Sequence, residues 1–276
     1  MTRPLKADFH THSTASDGTL APEELVVASA HRGLSHIALT DHDTTGGLAE
    51  ASAAGHEHGV VVIPGLEFSA QVDAGELHIL GYAIDHEHAE LQRTIEALRM
   101  SRMGRAGRIL DKLDDLGIHI DRGILVQDSD DSVGRPHIAR ALVEAGVVAS
   151  VGEAFNRYLG SDKPAFVDKD LIDPLKAIPL IEAAGGFAVM AHPLSVPDVR
   201  AILPGLIEAG LVGLECYYGE YDEHQHLELS GLAAEFGLLI TGGSDFHGPA
   251  FKEGRDLGSV DIPTDVVRGM LERAGL

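Results

Sequence analysis

Three histidine–aspartate clusters that lie far apart in the chain carry residue types that bind transition metals. The clusters are Asp8-Phe-His10-Thr-His12, Thr40-Asp-His42-Asp43 and Gly243-Ser-Asp245-Phe-His247. Each lies at or just past the end of a short apolar run. On an extended segment successive side chains alternate faces, so His10 and His12 point the same way and can bind one ion together. The clusters therefore predict a multinuclear metal site assembled at the ends of strands.

Four more residues of ligand type end or occupy other strand-like runs. They are Asp17, in a loop before a glycine, Glu67, at the end of an apolar run, and His78 and His192, in two further runs. Each has a structural alternative, such as a solvated strand end, a satisfied core histidine or a polar residue before a proline. Together, at equivalent ends of successive strands, they have no ready packing explanation. We interpret them as metal ligands.

The spacing His-x-His occurs elsewhere in the chain and serves as an internal control. The other pairs are His56/His58, His86/His88 and His224/His226. The first follows an alanine-rich helical stretch, and the other two fall where helices begin. Residues two apart on a helix diverge by about 200° and cannot bind one metal. We interpret these pairs as surface histidines.

Composition excludes several classes of protein. The 276 residues include 21 Lys and Arg against 43 Asp and Glu, a formal charge of −22, which is the opposite of the basic footprint of a duplex-binding protein. Cys216 is the only cysteine. Disulfides and Cys-x-x-Cys metal sites are therefore excluded, and the apolar run around Cys216 predicts a buried, inert thiol.

Common targeting and nucleotide-binding motifs do not occur in the sequence. Residues 1–8 lack an apolar signal core, and no apolar stretch approaches the roughly 20 residues of a membrane span. We therefore expect a cytoplasmic protein without a membrane partner. The phosphate-binding pattern Gly-x-x-x-x-Gly-Lys-Ser/Thr and the dinucleotide fingerprint Gly-x-Gly-x-x-Gly do not occur, which disfavours P-loop chemistry and hydride transfer.

Alternating elements must position the candidate ligands. Strands are predicted near 5–10, 36–41, 60–67, 76–83, 186–191, 211–217 and 238–242. Helical patterns fall between most of them, and two of these, Pro22–Gly33 and Asp173–Gly185, have an early proline and a terminal glycine. This alternation predicts an α/β fold, a seven-stranded (β/α) barrel with the ligands at its C-terminal rim.

The strand–helix rhythm breaks between His78 and His192. This part contains only helical patterns, namely 93–116, 135–146 and 151–160. We therefore expect a metal-binding barrel formed by residues 1–88 and 165–276. Residues 89–164 are predicted to be a helical insertion over the rim that acts as a substrate cap.

Basic residues of the insertion are candidates for binding an anionic group of a substrate. Arg102 and Arg105, three apart on a helix, are neighbours that could hold one phosphate through forked guanidinium donors. The alternative is structural, since arginines at 99, 102, 105 and 108 spiral around the helix, and Glu96 or Asp111 could pair with some of them.

Two stronger candidates open the next helix. Arg135 and His137 follow Gly134, where free backbone N–H groups also favour an anion. Lys163 is a weaker candidate, because a single lysine before a proline is commonly a solvated loop residue.

The motifs resemble those of the PHP (polymerase and histidinol phosphatase) phosphoesterases of the amidohydrolase superfamily. The matching segments are His10-x-His12, Asp17-Gly18, Thr40-Asp-His42-Asp-Thr44, Pro64-Gly-x-Glu67, His78, Ala191-His192-Pro193 and Gly243-Ser-Asp245-Phe-His247. All nine metal positions of the family pattern are occupied, by His10, His12, Asp17, His42, Glu67, His78, His192, Asp245 and His247. The resemblance implies that the seven-stranded barrel is distorted.

Within the family, the insertion most resembles one branch. The motifs that support this resemblance are Arg102-x-x-Arg105, Gly134-Arg-Pro-His137 and Tyr158-Leu-Gly-x-x-Lys163. The branch contains the 3′,5′-nucleotide bisphosphate phosphatases and the related 5′-to-3′ exoribonuclease that trims short RNA.

The resemblance implies three divalent metal ions. It places His10, His12, Glu67 and Asp245 around the first, Glu67, His78 and His192 around the second, and Asp17, His42 and His247 around the third. Glu67 would then bridge two ions. Mixed imidazole and carboxylate ligands suit manganese, zinc or iron and disfavour magnesium and calcium. The family points to manganese.

The implied reaction is removal of the 3′-phosphate from nucleoside 3′,5′-bisphosphates, which gives AMP from adenosine 3′,5′-bisphosphate. Metal-bound hydroxide would be the nucleophile, and no protein group is identified as the acid. The alternatives are 5′-to-3′ exonuclease action on short 5′-phosphorylated RNA, a metal-dependent amidohydrolase or other small-molecule phosphomonoesterase, and a non-catalytic PHP module. The expected partner is a small nucleotide or short RNA, and the oligomeric state is left open.

Overall fold

The computed structural model describes residues 5–125, 134–168, 171–249 and 251–276. The chain divides into two compact units. The larger contains the chain up to Arg93 and Leu171–Leu276, and the smaller contains Thr94–Asp170. Within the described ranges, no helix is both long and apolar enough to cross a membrane.

In the described ranges, seven strands form one sheet in chain order. They are β1 (Ala7–Thr11), β2 (His36–Leu39), β3 (Val61–Ala70), β4 (Leu77–Tyr82), β5 (Phe187–Met190), β6 (Leu211–Tyr218) and β7 (Leu239–Gly243). The segment after β7 returns to β1, where His12 N donates to Phe246 O at 2.8 Å and Phe246 N donates to His10 O at 3.4 Å. The sheet is thereby nearly closed into a barrel. The predicted seven-stranded α/β barrel is confirmed.

The strand β4 is the source of the distortion. It runs antiparallel to both β3 and β5, whereas the other neighbouring strands are parallel. The sequence predicted that the third strand ends at Glu67, but β3 continues to Ala70, and only six residues connect it to β4. So short a connection suits a hairpin, since a parallel strand needs a crossover of a dozen or more residues. The start of β4, with His78, therefore lies at the rim where parallel strands end.

The helices lie between and after the strands. They are α1 (Pro22–His31), α2 (Leu48–His58), α3 (Ala89–Asp115), α4 (Arg135–Glu144), α5 (Val151–Ala154), α6 (Pro174–Ala183), α7 (Val199–Glu208), α8 (Glu223–Phe236) and α9 (Thr264–Arg273). Short 3₁₀ turns occupy Arg122–Leu125 and Pro193–Ser195, and a π-helical turn occupies Phe155–Leu159. Pro22 and Pro174 begin their helices because proline presets φ and lacks an N–H that would be unpaired there.

Each unit has its own apolar core. In the barrel, Phe9, Ile63 and Tyr82 are buried in one cluster together with residues of α9 such as Met270. Burying a large apolar side chain stabilises the fold by about 1.5–3 kcal/mol. The smaller unit packs α3 against α4 through a separate set that includes Ile109, Leu113, Ile138 and Leu142. A separate core is what an inserted domain requires, while its place over the rim stays a prediction.

The single thiol is inert by position. Cys216 is fully buried on β6, and burial raises the pKa of its thiol to about 12. Because the thiolate is the reactive form, Cys216 is unsuited to nucleophilic or metal chemistry at neutral pH. The prediction that the thiol of Cys216 is buried is confirmed.

The seam between β1 and β7 depends on Gly243. A Cβ at this position would lie 2.3 Å from His10 Cβ and 2.5 Å from His10 N. We expect Gly243→Ala to push β7 from β1 and to lower the free energy of unfolding by about 3 kcal/mol. Urea unfolding followed by circular dichroism measures this change.

The matched control is Gly231→Ala on α8. A Cβ at Gly231 meets no atom within 4 Å, and alanine favours a helix interior over glycine by about 0.5–1 kcal/mol. This variant should therefore be slightly more stable than the wild type. A Gly243→Ala protein as stable as the wild type would show that the seam tolerates a side chain.

Candidate metal centre

The barrel rim gathers the nine residues that the sequence singled out as metal ligands. Among the residues that the structure describes, three groups of candidate ligand atoms form there, each with its atoms within 4.8 Å of one another: His10, His12, Glu67 and Asp245; His12, Asp17, His42 and His247; and His42, Glu67 and His78. His192 joins them, because its Nε2 lies 3.2 Å from Glu67 Oε1. Residues from seven separate segments of the sequence thus meet in one place.

Glu67 lies at the centre of the cluster and is fully buried. Its Oε2 lies within 3.3 Å of three imidazole nitrogens, His10 Nε2, His12 Nε2 and His42 Nδ1. Its Oε1 lies within 3.2 Å of two others, His78 Nδ1 and His192 Nε2. The two oxygens therefore face different histidine groups, so each could contact a different cation.

The ligand atoms fit bound cations better than a hydrogen-bond network. Within the described part of the chain, His10 Nε2, His12 Nε2 and Glu67 Oε2 are buried and make no hydrogen bond. A buried polar atom left unsatisfied costs about 1–3 kcal/mol. A cation among these atoms would satisfy them together, and the mixed nitrogen and oxygen donors suit manganese, zinc or iron.

The electrostatics of the cluster also favour positive charge. Burial alone would raise the pKa of Glu67, but the imidazoles of His42 and His10 hold it well below its usual value. Burial opposes protonation of His12, yet Asp245 and Glu67 raise its pKa to about 10. For His42 burial prevails and its pKa lies well below the ordinary value, despite Glu67 and Asp17. The carboxylates thus draw cations, either protons or metal ions, to this position.

Of the four non-glycine residues with positive φ in the described ranges, all but Ala83 lie at the same rim. The φ angles of Asp43, His192 and Asp245 are +48°, +24° and +53°. They lie in the left-handed region, which residues other than glycine rarely adopt. Each such residue costs on the order of 1–3 kcal/mol. Two of the three are candidate ligands, which indicates that the sharp turns at the strand ends serve to aim these side chains.

Two buried aspartates that the sequence analysis did not interpret fasten the ligand segments to one another. Asp41 accepts hydrogen bonds from Ser13 N and Oγ and from Ser16 Oγ, all at 2.7 Å. Asp8 accepts from Ser244 N at 2.9 Å and from Ser244 Oγ at 2.6 Å. Both belong to the three clusters noted above. Their contacts position the loops that carry the candidate ligands.

Glu215 is a further residue that sequence reasoning missed. It is fully buried, its Oε1 lies 2.9 Å from His10 Nδ1, and its Oε2 accepts a hydrogen bond from His192 N at 2.7 Å. A carboxylate behind a ligand histidine fixes its tautomer and orientation. The available signal was the lone acid next to Cys216 inside the apolar run of β6.

The cluster opens into a pocket of about 450 Å³ in the larger unit. Besides candidate ligands, its walls include Tyr218, Tyr221, Phe251 and Arg255. A cavity of this size accepts a small molecule and is near the lower end of typical ligand sites.

The basic residues that were predicted to contact substrate all lie in the smaller unit. Arg105 is buried and its Nε donates to Val167 O at 2.8 Å. Arg99 forms an ion pair with Glu96 at 2.7 Å, as the structural alternative allowed. The spacing of the arginines on α3 therefore has at least a partly structural explanation.

At the start of α4, Arg135 Nη1 donates to Leu159 O at 3.3 Å. Its guanidinium lies 5.7 Å and 5.6 Å from the ring centroids of Phe155 and Phe166. Gly134 N donates to His137 Nδ1 at 3.1 Å. Substrate contacts by Arg102, Arg105, Arg135, His137 and Lys163 stay predictions.

These features define the class of protein. It is an α/β barrel with clustered side chains of metal-binding type at the rim where its parallel strands end. Comparison with known proteins agrees, since the PHP domain matches residues 8–121. The chain belongs to the PHP family.

Relatives extend this match over most of the chain. A 5′-3′ exoribonuclease of Haemophilus influenzae is 38% identical, over 93% of this chain and 96% of its own. A 3′,5′-nucleoside bisphosphate phosphatase of Chromobacterium violaceum is 35% identical, over 93% of this chain and 92% of its own. The crystal structure of a predicted metal-dependent phosphoesterase from Bifidobacterium adolescentis matches with a TM-score of 0.86 and 31% identity, over 98% of this chain and 96% of that one. The protein is accordingly a phosphoesterase of the PHP family, with side chains placed to bind metals.

Proposed function

We propose that the protein removes the 3′-phosphate from nucleoside 3′,5′-bisphosphates and releases the 5′-monophosphate. The observation that carries this proposal is the buried cluster around Glu67, which opens into a pocket of nucleotide scale. The Chromobacterium violaceum relative is named for this activity.

The cluster is proposed to hold three divalent ions, with manganese the first choice and zinc or iron the alternatives. When bound, such ions would supply a nucleophile at neutral pH and would neutralise the phosphoryl oxygens. Glu67 would hold two ions through its separate oxygens. Glu215 would fix the ring of His10 so that its Nε2 faces the cluster.

A bisphosphate requires a second anion site. We propose that the smaller unit provides it, through Arg102, Arg105, Arg135, His137 and Lys163. Guanidinium groups match a phosphate with forked donors. Arg135 and His137 additionally lie in the first turn of α4, where backbone N–H groups favour an anion.

The second candidate function is 5′-to-3′ exonuclease action on short 5′-phosphorylated RNA. It is favoured by the Haemophilus influenzae relative, which is named a 5′-3′ exoribonuclease. The same arrangement would hold the 5′-phosphate and cleave the first 3′ linkage. The formal charge of −22 would disfavour long RNA, because repulsion grows with each added phosphate.

Product identification tests the proposal. Manganese-loaded protein is incubated with adenosine 3′,5′-bisphosphate or with a short 5′-phosphorylated RNA, and products are identified by phosphorus NMR and chromatography. AMP and inorganic phosphate are expected from the bisphosphate, with no turnover after chelation. Release of adenosine 3′-phosphate would reverse the orientation. No turnover of the bisphosphate would contradict the proposal, and mononucleotide release from RNA alone would favour the second candidate.

Arg135→Ala tests the second anion site. Since a charge-assisted contact contributes roughly 1.5–3 kcal/mol, we expect kcat/KM for adenosine 3′,5′-bisphosphate to fall about tenfold or more. A simple aryl phosphate, which has no second phosphate, should be hydrolysed almost as before. Steady-state kinetics with both substrates measures the difference.

The matched control is Arg157→Ala in the same unit. Arg157 also lies over an aromatic ring, that of Tyr158 at 5.0 Å, and pairs with Glu153. The Arg157→Ala change should leave kcat/KM unchanged for both substrates. Equal losses for both substrates in Arg135→Ala would show that Arg135 does not bind the second phosphate.

A further inference from the structure

Arg255 lies in the segment after β7 and lines the pocket above the ligand cluster. Its side chain is only 17% exposed. Nη1 lies 2.6 Å from Asp245 Oδ2, and Nε donates to Glu220. The guanidinium lies 5.4 Å from the ring centroid of Tyr218. Carboxylates on two sides and an aromatic face hold the group in one orientation.

The contact with Asp245 divides the roles of its two oxygens. Oδ1 faces the cluster, 3.1 Å from His12 Nε2 and 3.4 Å from His10 Nε2. Oδ2 faces away from the cluster. It accepts a hydrogen bond from Tyr218 Oη at 2.9 Å and forms an ion pair with Arg255. Arg255 therefore helps to present a single oxygen of Asp245 to the cluster.

Arg255 also retains donors for a ligand. A guanidinium has five N–H groups, and its hydrogen-bond and ion-pair contacts in the described ranges are those of Nε and Nη1. The Glu220 carboxylate is shared with Lys252, whose Nζ lies 2.6 Å away, so Glu220 does not neutralise Arg255 alone. Among the described residues that line the pocket, Arg255 is the only lysine or arginine.

We propose that Arg255 binds an oxygen of the phosphoryl group that is cleaved, while it holds Asp245 in its orientation toward the cluster. The inference rests on the proposed function in that the ligand is a phosphate ester. A phosphoryl group at the cluster carries several oxygens, and a fixed guanidinium beside the cluster supplies forked, charge-assisted donors to them. Because the residue is already ordered by Glu220 and Tyr218, little rotamer entropy is lost on binding.

Inorganic phosphate is the probe. Its affinity is measured by isothermal titration calorimetry for the wild type, Arg255→Ala and Arg255→Lys, each loaded with manganese to equal metal content as checked by elemental analysis. Arg200→Ala is the matched control, since Arg200 also pairs with a carboxylate, that of Glu235, and lies over an aromatic ring, that of Phe236, outside the pocket.

We expect Arg255→Ala to bind phosphate about 10- to 100-fold more weakly and Arg255→Lys to fall between it and the wild type. Added guanidinium ion should restore part of the phosphate affinity lost in Arg255→Ala. Arg200→Ala should bind inorganic phosphate with the same affinity as the wild type. If Arg255→Ala does not fold, Arg255→Gln, which retains a donor for Asp245, replaces it.

Phosphate affinity within about twofold of the wild type at equal metal content would overturn the inference, because even a weak charge-assisted contact exceeds that. The comparison of phosphate affinities between the variants and the wild type does not depend on turnover. A wild type that binds phosphate but hydrolyses no ester would contradict the proposed function, while the variants would still decide the role of Arg255.

Discussion

Replacing Glu67 with glutamine is expected to remove more than one bound ion and to lower phosphatase turnover by at least about a thousandfold. Its two carboxylate oxygens lie against different histidine groups. An amide keeps the volume but offers one neutral oxygen, so neither cation would be held with the original charge. Elemental analysis of wild type and variant after manganese loading, together with initial rates, measures both effects.

A readout independent of turnover is thermal stability. Manganese that binds only the folded wild type raises its melting temperature by mass action, and the variant should lose most of that increase. Glu57→Gln, at an exposed position on α2, is the control and should behave as the wild type. Retention of no more than one tightly held ion by the wild type would show that the trinuclear proposal is wrong.

Replacing Glu215 with glutamine should produce a different kind of loss. Because Glu215 contacts His10 and His192 from behind, the change should misorient two ligands and weaken manganese binding by about 10- to 100-fold. Unlike the Glu67 variant, the protein should regain most of its activity in excess manganese. Activity measured as a function of manganese concentration checks this.

Glu235→Gln on α8 is the control for an acidic side chain outside the pocket. It should leave the manganese dependence unchanged. If excess manganese does not restore activity to the Glu215 variant, the positioning role of Glu215 would be rejected.

The local patterns of the sequence were sufficient for much of the site. His10 and His12 share a face because residues two apart on a strand do so in any fold. Proline and glycine bound α1 and α6 near the predicted positions because their backbone preferences are local. The seven strands and the α/β class likewise follow from short-range alternation, and the nine ligand-type residues could be singled out by residue type and position in those strands.

Only the tertiary structure decided the features that depend on distant neighbours. The direction of β4 depends on a hairpin whose first strand continues past Glu67. The roles of Glu215 and Arg255 depend on contacts with His10, 205 residues away, and with Asp245 across a turn. A single acid or arginine in a sequence has no distinctive local pattern. The barrel closure that places such groups beside the ligands arises from long-range pairing of β1 with the segment after β7, and residue spacing does not encode it.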